Sequence, residues 1–587
     1  MTCTKFKLTT VAALVLAATN ANAALYKVVE VTPSITGASE IFGVAIQPGK
    51  AVNVNAVLPT LPDDELPLGC FDSNATNCAD STFKLAGETR DTLEAVSYRE
   101  EVPFAMDAPF QYIQEFDDFE NYCYRELRYS TCESWAQNRW NDTWSKERND
   151  LTYVNARAFV EGGETFESRN TVINSLDDDA KPVGVKSEGG IRNNALFTTT
   201  AAPTGTSETR AWKAITANST VYNVGSVSVE QVPTGTSEPD KAFSSKAAIW
   251  DGTTTEEINW LRSGDAKQDD YFAQGSMRSI TIGQTDDQPA VDIFYGVGYN
   301  TADGNGSLQD MNASVFVSDS LDLTNATWTT KEISGAEVKS GSSNDDARYS
   351  NSVATDINDN LFAVGYAKRN GYVPESGSAG NKIFVVTDAK NPTATYLSGG
   401  IFFGGSSGEA KAVNNFNEFV GQIDAETTRE VDGSERRHRG FIYPYQATGT
   451  DASRIALFES KSWWLDDLTN GANADGQDYS NANNHFRVID ATDINDAGVI
   501  SATAIKCTVG GATQAYDTTS HNSYCGGAAS NAVEKVVAVK LIPIAGATKA
   551  DIQTRSTDTE KVDRQGGSLG WLSLTVLGLL GFRRKFK

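Results

Sequence analysis

Only three histidines, His438, His485 and His521, are available to this 587-residue chain for acid–base or metal chemistry. None stands in an HExxH or similar zinc pattern, and neither a P-loop nor a dinucleotide-binding fingerprint is recognised. A Ser-His-Asp triad is not excluded by counting, but no GxSxG elbow is recognised to motivate one. Carboxylates are plentiful, with 76 Asp and Glu against 50 Lys and Arg. Glycosidase chemistry needs two carboxyl groups across a cleft, so a secreted hydrolase acting on carbohydrate stands as the catalytic alternative. No catalytic residue is assigned.

Cys3 precedes the expected cleavage site, and the other six cysteines fall into close pairs: Cys70 with Cys78, Cys123 with Cys132, Cys507 with Cys525. Their spacing lacks the CxxC pairs of a zinc site. In an exported chain the expected outcome is three structural disulfides. The loop Asn470–Asn484 offers oxygen ligands at Asn473, Asp475 and Asp478 that would suit Ca2+. It misses the EF-hand spacing and its closing Glu, so a plain exposed loop is the competing reading. No other cofactor is expected.

The elements that would position any site are short strands. ATDINDNLFAVGYA, from Ala354 to Ala367, recurs as ATDINDAGVISATA from Ala491 to Ala504, with a weaker copy, AVNNFNEFVGQ, from Ala412 to Gln422. The copies align Asn358, Asn414 and Asn495, and seven positions later each has a small residue, Gly365, Gly421 or Ala502. Each reads as a strand, an Asn/Asp turn and a second strand. Asp356 and Asp493, with Asp359 and Asp496, are expected to hydrogen-bond their own turn backbone.

A second recurring element opens at Ala247, Ala313 and Lys382, 66 and 69 residues apart, and again at Gly440. Alternating with the Asn-turn hairpins, it makes a repeat of about four strands, the size of a propeller blade. Blades usually run ~40 to 50 residues, so these would carry long loops. EIFGVAI, from Glu40 to Ile46, echoes DIFYGVGY from Asp292 to Tyr299, which suggests that the repeats begin at the mature N-terminus. PTGTSE occurs at Pro203–Glu208 and Pro233–Glu238, read as equivalent loops on successive hairpins. The fold expectation is all-β: a β-propeller-like repeat architecture with a small disulfide-stapled helical insertion at about 59–150 and a C-terminal hydrophobic helix. A β-sandwich or β-solenoid is the structural runner-up.

Within the insertion, Trp135, Trp140 and Trp144 stand at near-helical spacing between charged residues. Such aromatics beside a disulfide suit stacking on sugar rings or a partner protein, but a stapled unit with its own small core is the favoured reading.

Met1–Ala23 has Lys5, Lys7, a short apolar run and Ala21-Asn22-Ala23, the pattern of a signal peptide cut before Ala24 by signal peptidase. The propeller-like body is expected over 24–545, a polar linker over 546–565 and a tail over 566–587. The tail's apolar tract, Leu569–Phe582, is 14 residues, ~21 Å as a helix against a ~30 Å hydrocarbon core. It is a marginal transmembrane anchor, with the basic cluster ending at Lys587 on the cytoplasmic side. The formal charge of −26 repels phosphate backbones and anionic lipids, which disfavours nucleic-acid binding.

This tail resembles the GlyGly-CTERM sorting signal: Gly566-Gly567-Ser568, a Leu-rich helix with Gly578 and Gly581, then basic residues. The resemblance implies cutting by rhombosortase, a rhomboid-like intramembrane protease, in proteins handled by type II secretion, with membrane contact that is transient. The simple tail anchor of a membrane-retained surface protein is the alternative. The repeats resemble HAF-type extracellular repeats; ATDINDAGVISA is closest, while ATDINDNLFAVG lacks the turn Gly. The whole chain is similar to an uncharacterised family of exported bacterial proteins, which implies no catalytic residues. The expected function is a non-catalytic binding or scaffold module, at the cell surface or extracellular, whose ligand is not specified.

Overall fold

The computed structural model describes residues 24–558 except 36, 39, 55–64, 91–114, 148, 149, 151, 197–202, 232–241, 269, 270, 304–309, 339–347, 426, 428–435, 471–481, 509–515, 518–523, 526–531 and 556. The chain is an all-β propeller of seven blades. Its innermost strands are Glu40–Ile46, Thr171–Leu176, Glu208–Ala217, Gly275–Gln284, Tyr349–Ile357, Gly408–Val413 and Phe486–Ile494. Each touches the next, and the seventh touches the first. Six blades have four antiparallel strands, and blade 2 has three among the described residues. Closure is made by strand β1 (Tyr26–Val31), which pairs with Val533–Pro543 as the outermost strand of blade 7. The ends of the body are therefore hydrogen-bonded to each other.

The Asn-turn repeats form the first hairpins of blades 5, 6 and 7. The second recurring element is the third strand of blades 3 to 6. EIFGVAI and DIFYGVGY prove to be inequivalent, the first an innermost strand and the second a second strand. Both are simply apolar strands packed on two faces. The second PTGTSE copy lies outside the described residues.

In every blade the innermost strand carries a β-bulge, at Val44, Asn174, Trp212, Arg278, Thr355, Lys411 and Thr492. A bulge bends the strand and swings a carbonyl toward its partner. The facing residues on the second strands are Gly87, Gly184, Gly225, Gly298, Gly365, Gly421 and Ala502. A Cβ at Gly184, Gly225, Gly298, Gly365 or Gly421 would fall inside the carbonyl oxygen of Val172, Arg210, Ser276, Val353 or Glu409. The small residue that closes each sequence repeat is thus required by the bulge opposite.

The span 59–150 contains a blade strand, Leu85–Arg90, and so divides into two insertions on opposite faces. Its short LAGETR sequence has no apolar alternation to betray it. The first part, with the Cys70–Cys78 disulfide, lies on the Asn-turn face, where Cys70 N donates to Ala497 O at 2.9 Å. The second holds α1 (Phe116–Tyr122), α2 (Glu133–Arg139), α3 (Ser145–Glu147) and the Cys123–Cys132 disulfide. Phe119, Tyr122, Trp135 and Trp144 are buried in a core of its own. The third disulfide, Cys507–Cys525, lies in blade 7. The expected linker starts on the body: Arg555 donates through Nη1 to Phe486 O at 2.8 Å, and its N–H to Asp467 at 2.9 Å. No helix among the described residues is long and apolar enough to cross a membrane; the expected signal peptide and the expected C-terminal helix lie outside them.

The close approach at the bulge predicts unequal outcomes for one methyl group. Gly421→Ala should destabilise by more than about 2 kcal/mol through backbone overlap, whereas Ala502→Gly should cost about 1 kcal/mol or less. Urea unfolding midpoints measure both, and a tolerated Gly421→Ala would refute the close approach.

Candidate functional site

The Asn-turn face is built from one repeated device. Asn358 Oδ1 accepts the N–H groups of Asn360 (3.0 Å) and Phe362 (3.1 Å), closing its turn. Asn414 does the same with Phe416 and Glu418, while Asn495 Oδ1 accepts Val499 N and the Ala497 N–H goes to Gly49 O of blade 1. Each side-chain NH2 is then left to reach outward. Asn358 Nδ2 donates to Asn414 O at 2.8 Å, Asn414 Nδ2 to Asn495 O at 3.3 Å, and Asn495 Nδ2 to Gln47 O at 3.0 Å. Gln47 Nε2 continues to Asp178 O at 2.8 Å. A relay of carboxamides therefore links blades 5, 6, 7, 1 and 2 across the closing seam. Blade 2 uses Asp177 for the same turn, accepting from Asp179 and Lys181, a copy the sequence comparison misses because it carries Asp for Asn. The fourth turn residue is left-handed in all four: Ala180, Leu361, Asn417 and Gly498. Only the last has the glycine such a conformation favours.

The repeat aspartates do not serve mainly their own turns; they staple blades. Asp356 Oδ2 accepts Val413 N of blade 6 at 2.9 Å, and Asp493 Oδ2 accepts Ile46 N of blade 1 at 2.9 Å. Asp493 Oδ1 also takes its neighbour Ile494 N. Asp356 Oδ1 receives Lys213 Nζ at 3.1 Å and Ser279 Oγ at 2.5 Å, from blades 3 and 4. A contact between blades 3 and 5 must pass inside blade 4, through the centre of the ring. Asp359 takes Thr281 Oγ1, and Asn415 bridges Asp359 and Asp496.

Electrostatics follow from this crowding. Burial opposes the charge on Lys213, but Asp356 and Asp493 outweigh it and hold the ammonium above its ordinary range. Burial raises the Asp493 carboxyl to about 6, against the pull of Lys213 and the Ile46 N–H. Burial likewise raises Asp496, and Glu418, whose partner Arg454 lies 2.8 Å away with both side chains fully buried. Arg454 also donates to Leu68 O at 2.9 Å.

The opposite face carries the helical insertion. Lys368 Nζ of blade 5 donates to Glu126 O at 2.9 Å, and a side chain at Gly371 would collide with Arg125 O. Arg192 of blade 2 sits over Trp144, 5.3 Å from the ring centroid. Between the insertion and blades 5 and 6 lies a cavity of about 40 Å3 lined by Leu127, Tyr129, Ser378, Ser407, Asp424 and Arg436, room for about one water.

His438 Nε2 lies 3.2 Å from Asp424 Oδ1, and Asp424 is also held by Arg436 at 3.0 Å and Ser407 N at 2.9 Å. His485 Nδ1 meets Cys507 O, and His521 lies outside the described residues. The GxSxG spacing does occur, at Gly404–Gly408 and Gly566–Gly570, the latter outside the described residues. In the former, Ser406 is buried on the bend entering blade 6 and donates to Phe403 O at 2.7 Å. It precedes a strand, whereas a nucleophile elbow opens a helix. No group of three His, Cys, Asp or Glu arranged for a metal is present among the described residues. Asn473, Asp475 and Asp478 lie outside them, as do Ala21, Ala23, Gly566, Gly567 and Ser568; Ala24 is buried.

The raised Asp493 carboxyl has a signed consequence. Between about pH 4 and 6 the folded chain keeps a proton that the unfolded chain has lost, so this group's stabilisation is greatest at low pH and falls as pH rises through about 6. Asp493→Asn removes that titration, so raising the pH from 4 to 7 should cost the variant less stability than the wild type, by about 2–3 kcal/mol. Denaturant unfolding of both at the two pH values reads it; a constant difference would exclude a shifted carboxyl.

Residues 217–585 match a family described as a protein of unknown function (DUF3466). No curated protein matches the chain. Among solved structures it is similar, at 8% identity and a TM-score of 0.21 over 57% of this chain and 84% of that one, to a structure from work on the GH130 family of mannoside phosphorylases and its glycoside hydrolases that target β-1,2 mannosidic linkages in Candida mannan. A likeness of that size carries no argument about activity.

Proposed function

With that match over more than half its length, the chain belongs to the DUF3466 family of proteins of unknown function, and we propose that this member is an exported propeller that binds rather than catalyses. The observation that carries the reading is the commitment of the carboxylates at the axis. Both oxygens of Asp356 are hydrogen-bonded between blades, and both of Asp493 accept backbone N–H groups, that of Ile46 in blade 1 and that of its own neighbour Ile494. A catalytic acid or nucleophile needs an oxygen free to meet substrate. A carbohydrate hydrolase is the second reading, and the raised Asp493 carboxyl is what favours it.

Export is supported by the signal-type segment 1–23, the three disulfides and the acidic charge. In this proposal 24–545 is the binding body and 566–587 a GlyGly-CTERM-like tail removed by a rhombosortase-like protease, with HAF-type repeats in the last blades. Type II secretion then delivers the body to the surface or the medium.

Intact mass and fractionation in the chain's own host test this. The expected body begins at Ala24, ends near Gly566 or Gly567, gains six mass units on reduction, and lies outside the inner membrane. A full-length tail in the inner membrane would overturn the sorting route. Release of sugars from a polysaccharide, lost in Asp493→Asn, would replace binding by hydrolysis.

A further inference from the structure

The large hydrophobic residues left exposed on the described surface include five valines and isoleucines and two tyrosines, Tyr124 and Tyr372. The two tyrosines belong to one place. Tyr124 precedes Arg125 in the stapled insertion, and Tyr372 follows Gly371 in the loop joining the second and third strands of blade 5. Gly371 packs on the backbone of Arg125 and Glu126. The two residues therefore flank a single joint, on the face opposite the Asn turns.

Both are presented on fixed backbone. Cys123, beside Tyr124, is bridged to Cys132. Tyr372 N donates to Asn370 Oδ1 at 2.9 Å, and Arg369 Nε holds Val373 O at 2.6 Å. Lys368 ties the loop to Glu126. Yet Tyr372 is 73% exposed and Tyr124 43% exposed. A backbone held in place has lost its entropy in advance, so binding through these side chains orders only the rings.

We propose that this joint is a carbohydrate-binding surface, with Tyr124 and Tyr372 each stacking on a sugar ring of one glycan chain. The proposal rests on the binding reading above and names its ligand class. A sugar presents one face of C–H bonds, whose slight positive charge suits the negative face of an aromatic ring, and a rim of hydroxyls. The surroundings match that rim: Asn121, Arg125 and Ser376 are exposed polar residues beside the tyrosines. A protein partner would call for a continuous apolar centre, whereas these are two separate faces in a polar field. An anionic membrane is disfavoured by the acidic body.

The test uses the purified mature chain, with soluble polysaccharides (mannan, alginate, dextran) in affinity gels and insoluble cellulose and chitin in pull-downs. At least one should retain the wild type. The Tyr124→Ala/Tyr372→Ala double variant should bind at least tenfold more weakly with an unchanged melting temperature, and Tyr372→Phe, which keeps the ring, should bind as the wild type. Retention unaffected by the double variant would overturn this surface and leave a binding function elsewhere. Retention on none of the five overturns the glycan assignment, and a crosslinked protein partner lost in the double variant would do so in favour of a protein. Tyrosine-dependent retention with release of reducing ends would support the surface while overturning the non-catalytic reading.

Discussion

A ring of twisted sheets is stable only if its last blade grips its first, and here that seam is held by several unlike bonds. Strand β1 completes blade 7 from outside. At the axis, the Asp493 carboxylate holds Ile46 N. On the Asn-turn face the carboxamide relay passes from Asn495 to Gln47. Beside it, buried Lys540 of blade 7 meets both oxygens of Glu161 of blade 1, at 2.9 and 2.7 Å. Closure by backbone pairing alone would leave the inner strands free to splay, and the side-chain bonds remove that freedom where the blades lie closest.

Those bonds explain why parts of the chain were readable in advance. A turn Asn that caps its own backbone with Oδ1 and its neighbour's with Nδ2 must keep both ends of the amide, so Asn358, Asn414 and Asn495 stand out. The glycine seven residues after Asn358 and Asn414 is fixed by the carbonyl facing it, and the third copy has the next smallest residue, Ala502, there. Where either requirement changes, the signal fades. Blade 2 does without the outward NH2 and uses Asp177. The first hairpin of blade 3 turns through Asn218 and Ser219, both left-handed, and leaves no Asn-turn signature.

Other features were hidden because they depend on what folding brings together. Lys213 sits in a strand with nothing to mark it, and its partners Asp356 and Asp493 lie more than a hundred residues away. Leu85–Arg90 carries a small, mixed sequence whose strand character comes from pairing with its neighbours on both sides. The aspartates were recognised as turn residues, but their reach into the next blade is a matter of tertiary geometry. The helical insertion was visible from its tryptophans and cysteines, while its seat on blade 5 rests on a glycine and a backbone carbonyl, groups that carry no pattern.

The two faces of the propeller are consequently unequal. One is locked by amides and buried ion pairs, among them Arg454 with Glu418, whose burial makes any loosening costly. The other carries the longer loops and the stapled helices, joined to the blades by a few backbone contacts and a small cavity. Such loops tolerate change because the scaffold beneath them does not need their side chains. Residues there are free to answer to a ligand, and those on the locked face answer to the ring. The exposed tyrosines lie on the free face, at the joint where the insertion meets blade 5, so they are carried on anchored backbone that is itself under no demand to bury them.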